Sequence, residues 1–464
     1  MLYGYIYFRD RKSKPEVPRW GVGITDKQAE KEKVFAIIDE AADELREYAS
    51  SVAAEPEFGF KEFKTAKKVA AQFDKLGIPY RSQLAITGVK GILKGGRPGP
   101  TIAILGELDA IGCPEHPKAD PDTGAAHACG HHMQQSAMLA AAYGLARSGV
   151  MKDLAGNVVF FAVPAEEYVQ LAYRKKLVKE GKLHFIHGKG ELIYEGEFDD
   201  IDMAMQIHSR KNTPDATVAI GTSSNGFIGK TIQYIGKSAH AADAPDQGIN
   251  ALNAAMLGIM GINSLRETFR DDDHIRVHPI ITKGGDLVNN VPDDVRIETY
   301  VRGATMDAID RTHKKVDAAL RAGGMAIGAK VKIDTLPGQL PLICNPTLNE
   351  LFVSNAEAAM PDVKIIDAGH FSASTDMGDV SHLMPAIHPF IGGTDGLLHG
   401  ADFKVVDFNA AALMPGKAFA GMVIDLLSDD AARARALLKD YKPALTKEAY
   451  IAKLDSYFSK GEEA

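Results

Sequence analysis

Apolar positions along this chain change their period several times, and those changes divide it. Val34, Phe35, Ile37, Ile38, Ala41 and Leu45 recur at helical steps on a charged background. They predict one amphipathic helix over residues 26–51, capped by Thr25 or Asp26. A second helix is predicted over 63–76, stopped by Gly77. Short apolar runs at 89–94 and 101–105, separated by Gly and Pro, read as strands. A helix is expected over 133–147, ended by Gly149, and then a strand over 157–163 with no polar alternation. Such a run suits a sheet covered on both faces. Residues 169–198 are basic, helical at first and then looped, and 202–207 is another strand.

From about Gly226 the pattern becomes strand 230–236, helix 249–268, strands 275–283 and 295–303, helix 307–322 and strand 330–336. This β-α-β-β-α-β order is ferredoxin-like. The earlier alternation of strand and helix is that of an open α/β sheet, which builds its sites at strand C-termini. The chain is therefore expected to be α/β, with a mostly parallel catalytic sheet formed by residues 1–225 and 339–464 and an inserted α+β domain over 226–338. The returning segment should supply a strand at 387–391, a helix at 409–428 and a charged helical tail over 430–464. Residues 1–25 show no period and are expected to form an irregular arm.

Composition narrows the function classes. The 464 residues exceed one ordinary core, which agrees with two domains. A net charge of -8 argues against a nucleic-acid partner. No apolar run is long enough to suggest a membrane span, and the first residues lack the pattern of a signal peptide. The three cysteines, Cys113, Cys129 and Cys344, do not suggest a disulfide framework, and a cytoplasmic location is expected.

The chemistry gathers at Ala126-His-Ala-Cys-Gly-His-His132, between a Pro/Asp-rich loop and a helix. Thiolate and imidazole are both good ligands for a borderline divalent metal, and Gly130 lets the backbone turn so that both can face one point. The pair Glu166-Glu167 and the histidines His208 and His399 follow predicted strand ends. Glu107 and Asp109 follow the strand at 101–105. His116, His127, His184 and His187 have no supporting partner in sequence and read as loop or surface histidines. The basic run between Ala172 and Gly190 suits an acidic substrate or a solvated helix face.

Taken together these residues resemble the M20 metallopeptidase family, in the branch of amidohydrolases typified by aminobenzoyl-glutamate utilization protein B. The matching stretches include Glu55-Pro-Glu-Phe-Gly-Phe60, Gly106-Glu-Leu-Asp-Ala110, His127-Ala-Cys-Gly-His131, Pro164-Ala-Glu-Glu167, Gly236-Lys-Ser-Ala-His-Ala241, Asn289-Asn-Val-Pro-Asp293 and Ser374-Thr-Asp-Met-Gly-Asp-Val-Ser381. The resemblance covers roughly residues 35–425.

It implies a zinc-peptidase-like catalytic domain with an inserted lid and dimerisation domain, and two divalent metals sharing a water, Zn or Mn with Co or Ni as alternatives. Cys129, His131, Glu167, His208 and His399 would be the ligands and Glu166 the general base. His240 would help hold the oxyanion from the other subunit of a homodimer. Asp109, His132, Asn289, Asn290 and Arg302 would orient ligands or touch substrate. His132 stands where relatives carry Asp or Asn, and a supporting role is preferred for it over direct ligation. Tyr168 and the residues after it replace glycines common in relatives. The implied activity is hydrolysis of the amide bond of an N-acyl or N-aroyl amino acid with a free carboxylate. A dipeptidase or aminoacylase-type deacylase is the runner-up, and a non-catalytic binding protein on the same fold is the remote alternative.

Overall fold

The computed structural model describes residues 27–458. The irregular arm over 1–25 and the helix cap at Thr25 or Asp26 lie outside the described residues. A six-stranded sheet runs in the order Tyr80–Leu84, Gly88–Lys94, Ala155–Val163, Arg97–Glu107, Met203–Met205, Ala386–Ile387. The first two pairings are antiparallel and the remaining three parallel. Its central strands are apolar on both faces because helices cover both. The helices Gln28–Glu40, Ala42–Ala53, His131–Ser148 and Met414–Asp440 close one apolar layer, containing Ile38, Val52, Ile104, Phe160 and Phe419. Leu105, Phe161 and Ala204 point to the other layer, with Phe185, Leu192 and Tyr450. Each large buried side chain of this kind contributes roughly 1.5–3 kcal/mol. Gly106 sets how closely helix and strand approach: a Cβ there would sit 2.9 Å from the Gln135 Cα.

Residues 226–337 form a separate antiparallel sheet. Its order is Arg276–Val277 (with Ile280–Lys283 on the same neighbour), Asp294–Gly303, Gly226–Ile235, Lys330–Pro337. Helices Ala251–Ser264 and Met306–Ile327 pack on it. The ferredoxin-like expectation describes this arrangement, and the whole is α/β with a distinct α+β unit.

Several elements differ from the sequence reading. The first helix is two, broken at Ala41. Gly188–Tyr194 is helical where a loop is expected. The expected strand at 387–391 is two short pieces in different sheets, Ala386–Ile387 and Phe390–Ile391. Helix Pro346–Ala359 has no counterpart among the expected elements. One helical stretch, Asn409–Asp440, does reach the length and apolarity of a membrane span, contrary to the expectation. It is 89% buried against the protein itself over its most apolar window, as befits a core helix.

Candidate metal centre and hydrolytic cleft

Five chain segments converge at one end of the six-stranded sheet. Strand Arg97–Glu107 ends on Glu107 and places Asp109 just beyond it; both are fully buried. Helix His131–Ser148 begins after Gly130, whose φ of +84° makes the turn between Cys129 and His131. Only glycine fits there, since a Cβ would lie 2.1 Å from Ser209 Oγ. Strand Ala155–Val163 runs into Pro164-Ala165-Glu166-Glu167, with Ala165 held at a φ of +51°. Strained backbone of this kind persists where the surroundings over-determine it. His208 opens a short strand, and His399 sits at a φ of +62° with its N–H donating to Ala128 O at 2.8 Å.

The side chains meet closely. Cys129 Sγ lies 3.4 Å from His208 Nε2 and 3.2 Å from His399 Nε2. His399 Nε2 lies 3.0 Å from Glu167 Oε1. His131 Nε2 lies 3.0 Å from Glu107 Oε2 and 3.9 Å from Glu166 Oε2, while its Nδ1 is 2.8 Å from Asp109 O and 3.2 Å from Asp109 Oδ1. Ligand-type atoms gather within 4.8 Å in three trios: Cys129/His131/His208, Cys129/Glu167/His399 and Glu107/His131/Glu166. Cys129 belongs to two of them. His131 Nε2, Glu167 Oε1 and Asp109 Oδ1 are buried and make no well-formed hydrogen bond, their near neighbours being other charged groups of the same cluster. Buried polar atoms are normally satisfied, so these orphans in a thiolate, imidazole and carboxylate set fit divalent cations. The trios bring together all five expected ligands and add Glu107, which faces His131, and Glu166, the expected base.

The electrostatics follow from burial and neighbours. Burial raises the Glu166 carboxyl well above its ordinary range, helped by the carboxylates of Glu107, Glu167 and Asp376. Burial also pushes Glu167 up, but His399 and His131 overcome it and hold Glu167 at about 2. Glu167 in turn lifts His399 to about 12. For Cys129, burial and Glu167 raise the thiol, yet His208 and His399 bring it down to about 6.

A cleft of about 470 Å³ opens onto Cys129, Glu166, Glu167, His208 and His399. Arg302 lines it, its guanidinium 4.9 Å over the Phe227 ring and 5.3 Å over Tyr300, with Nη1 donating to Ser374 Oγ at 2.7 Å. No carboxylate lies within ion-pair distance of it among the described residues. Tyr168 forms part of the wall, its hydroxyl donating to Pro337 O at 2.7 Å.

Four expected site residues stand elsewhere. His240 is exposed on the inserted domain, bridged to Asn290, and Ala241 N donates to Asn289 O. His240 Nδ1 accepts from Ala242 N and Asp243 N, so the imidazole caps its own loop and leaves Nε2 outward. None of His240, Asn289 and Asn290 lines the cleft of this chain, and His132 lines a different cavity.

The surface reading of the spare histidines fails for two of them: His127 is 4% exposed and His187 fully buried. The solvated-face reading of the basic run fails at Arg174 and Lys189, both buried. Arg174 Nη1 donates to Ile186 O at 2.7 Å and Nη2 to Glu167 O. Lys189 Nζ sits 2.7 Å from Glu107 Oε1 and bonds Asp376. Sequence reasoning also passed over Glu62, whose carboxylate accepts from Ala165 N at 2.8 Å and steadies the strained turn before Glu166. Apart from Asp376, which falls within a matching stretch, these residues carry no local signal; only the fold brings them together.

Residues 103–421 match the model of peptidase family M20/M25/M40. The chain is 28% identical to a mouse Xaa-Arg dipeptidase over 442 residues, 89% of this chain and 92% of the relative. It is 27% identical to one of the subunits of the Escherichia coli p-aminobenzoyl-glutamate hydrolase, over 65% of this chain and 60% of that one. Among solved structures, a dinuclear-metal-binding peptidase of family M20 from Bacillus subtilis superposes with a TM-score of 0.63 at 20% identity, covering 84% of this chain and 99% of its own. With the family model spanning more than half of its length, the chain belongs to peptidase family M20/M25/M40 and is a hydrolase acting on amide bonds.

Proposed function

We propose that this enzyme hydrolyses the amide bond of N-acyl or N-aroyl amino acids that keep a free carboxylate, with N-aroyl glutamates preferred. The observation that carries this reading is the unpaired Arg302 guanidinium facing the same cleft as Glu166. Cys129, His131, Glu167, His208 and His399 would hold two divalent ions, zinc being favoured by the thiolate and Mn, Co or Ni being alternatives. Such ions would lower the pKa of a water and polarise the amide carbonyl.

The chain's own groups do the rest. Glu166 takes a proton from the attacking water and returns it to the departing amine, a task suited to a carboxyl whose pKa is raised. Asp109 holds the His131 ring through Nδ1, leaving Nε2, beside Glu107, free to face an ion. Arg302 receives the substrate carboxylate and stacks on Phe227 and Tyr300. Lys211 adds a second cation to the lining, and the only acids there among the described residues are Glu166 and Glu167. This charge layout favours an acidic or neutral amino acid over a basic one. The likeness to Xaa-Arg dipeptidase across 89% of the chain supports a dipeptidase as the second reading.

We further propose a cytoplasmic homodimer. All three cysteines are free, and Met256, Leu257 and Met260 on one helix, Ile280 and Ile281 on strand Ile280–Lys283 and Val288 in the loop after it are exposed on the inserted domain. In that assembly His240 would reach the partner's cleft and donate to the oxyanion.

The test is a panel of N-benzoyl and N-aminobenzoyl amino acids, their carboxamides and Xaa-Arg dipeptides on Zn- and Mn-loaded enzyme. N-aroyl glutamates should lead, and removing the free carboxylate should lower kcat/KM by about 10²-fold in the wild type but by less than about threefold in Arg302→Ala. Equal discrimination in both proteins, or a preference for Xaa-Arg, would sink the assignment.

A further inference from the structure

The C-terminal segment 441–458 takes no part in the chemistry above, yet it touches both domains. On the catalytic side Lys447 Nζ lies 2.7 Å from Asp199 Oδ2, and His184 Nε2 lies 2.7 Å from Asp455 Oδ1. Tyr450 is fully buried and donates to Asp379 Oδ1 at 3.1 Å, and the Phe458 ring stacks on Phe185 with centroids 6.2 Å apart. On the inserted domain two side chains of the segment converge on one carboxylate. Lys453 Nζ is 2.7 Å from Asp310 Oδ2, and the Tyr457 hydroxyl donates to Asp310 Oδ1 at 2.6 Å. Burial raises the Asp310 carboxyl, but Lys453 and Tyr457 outweigh it and hold it below its ordinary range.

Asp310 stands near the start of helix Met306–Ile327, which follows directly on the strand Asp294–Gly303 that carries Arg302. The join between them is tight. A Cβ on Gly303 would lie 3.1 Å from Ile275 Cδ1 and 3.2 Å from Ile309 Cγ1. Gly303 follows Arg302 and Ile309 precedes Asp310, so a shift of the helix start is passed to Arg302 through close-packed neighbours. The helix start has no packed core of the catalytic domain beneath it. A cavity of about 660 Å³ separates Thr305 and Met306 from Ser223, Ile343 and Cys344. Its place therefore depends on what its polar side chains hold, and Asp310 holds the C-terminal segment.

We propose that residues 441–458 are a strap across the two domains, and that Asp310 is a positioning residue through which the strap holds Arg302 over the cleft. This rests on the reading that Arg302 receives the substrate carboxylate. Cys129, His131, Glu166, Glu167, His208 and His399 all lie in the catalytic domain, so the strap bears on substrate capture and leaves the reacting groups alone. Without it the inserted domain can sway about its two chain crossings, Asn225–Gly226 and Pro337–Gly338. Arg302 then meets the carboxylate in only a fraction of the molecules, and the apparent affinity falls by that fraction. A half-exposed ion pair contributes little, so the hydrogen bond from Tyr457, itself 5% exposed, should matter more than Lys453.

The test compares full-length, metal-loaded wild type, Asp310→Ala, Asp310→Asn and Tyr457→Phe on N-benzoylglutamate and its α-carboxamide. In Asp310→Ala, KM for the free acid should rise about fivefold or more, with kcat changed less than about twofold and KM for the carboxamide unmoved. Asp310→Asn keeps an acceptor for Tyr457 and should recover most of the loss. In an Arg302→Ala background Asp310→Ala should add nothing, because the two act as a unit. Amide exchange of substrate-free protein should quicken at both chain crossings in Asp310→Ala and Tyr457→Phe. If wild type discriminates acid from carboxamide and Asp310→Ala discriminates equally well, the role of Asp310 is overturned and the substrate reading stands. An equal rise in KM for both substrates, or a loss confined to kcat, overturns it too. A wild type that does not discriminate sinks the substrate reading instead, and unchanged exchange at the crossings overturns the strap whatever the substrate.

Discussion

Lys189→Met removes one ammonium from the layer beneath the metal centre, and its cost can be worked from the contacts. Lys189 is fully buried; its Nζ lies 2.7 Å from Glu107 Oε1 and bonds Asp376, and its backbone N–H donates to Asp376 Oδ2 at 3.0 Å. Methionine fills a similar volume, so packing changes little. Two buried carboxylates then lose their shared counter-charge, a change that typically costs about 3–5 kcal/mol. One of them has an escape. Burial already lifts Asp376 to about 6 despite Lys189, so keeping a proton on it at pH 7 costs only about 1.4 kcal/mol even before the substitution. The loss should therefore fall near the lower end, about 3 kcal/mol.

The pH dependence has a definite sign. A carboxyl whose folded pKa is raised above its unfolded value binds more protons when folded, so its contribution worsens as pH rises through that window. Without Lys189 the Asp376 pKa rises further, and the penalty should be larger at pH 8 than at pH 6. Thermal unfolding of chelator-stripped protein, which avoids stabilisation by bound metal, should show a fall of roughly 3–5 °C at pH 8 and less at pH 6. A fall under 1 °C, or one independent of pH, would refute the view that Lys189 balances this buried charge.

Glu166→Gln should lower kcat by at least about 10²-fold with metal content unchanged, measured by turnover and elemental analysis; near-normal turnover would remove it as the base. Cys129→Ser substitutes a poorer ligand in two of the three trios, so metal retained after dialysis should drop with activity. Full occupancy in that variant would make Cys129 a packing residue. If the proposed dimer shares His240 across subunits, Glu166→Ala and His240→Ala chains mixed under subunit exchange should regain activity, because one cleft of each mixed dimer would have both groups intact. No recovery after demonstrated exchange would place His240 outside the shared site.

What sequence made legible was whatever is encoded locally. Helical and strand periods located most elements of both sheets, because burial on one or two faces dictates where apolar residues fall. The five ligand candidates stood out because strand ends and a glycine turn present unusual residue types in short windows. Missed features depend on contacts between distant segments. Nothing about Gly188-Lys189-Gly190 distinguishes a lysine buried against Glu107 and Asp376 from one in water, since its partners lie 82 and 187 residues away. The burial of His127 is hidden for the same reason: Phe403 and Phe408, which line the same cavity, arrive with the returning segment of the chain. Residues 387–391 read as one strand, but the chain changes sheets in their midst, and propensity cannot show which neighbour a strand will pair with.

Charge around the centre ties these observations together. Glu62, Glu107, Asp109, Glu166, Glu167 and Asp376 are all buried there, while Lys189 and Arg174 are the buried permanent cations beside them. Burial pushes Glu62, Glu166 and Asp376 toward their neutral forms, and the raised imidazoles of His131, His208 and His399 balance the remaining carboxylates and the Cys129 thiol, brought down to about 6. Protons thus balance the buried cluster, and divalent cations would take their place, since ligating thiol and imidazole groups must be deprotonated. The division of labour among the fixed cations then makes sense. Lys189 and Arg174 hold the scaffold of acids and the turn bearing Glu167, which leaves Cys129, His131, Glu167, His208 and His399 as the proposed ligands of divalent ions. Arg302, the cation that forms no ion pair with any of these acids, is left facing the cleft, where the proposed substrate carboxylate would meet it.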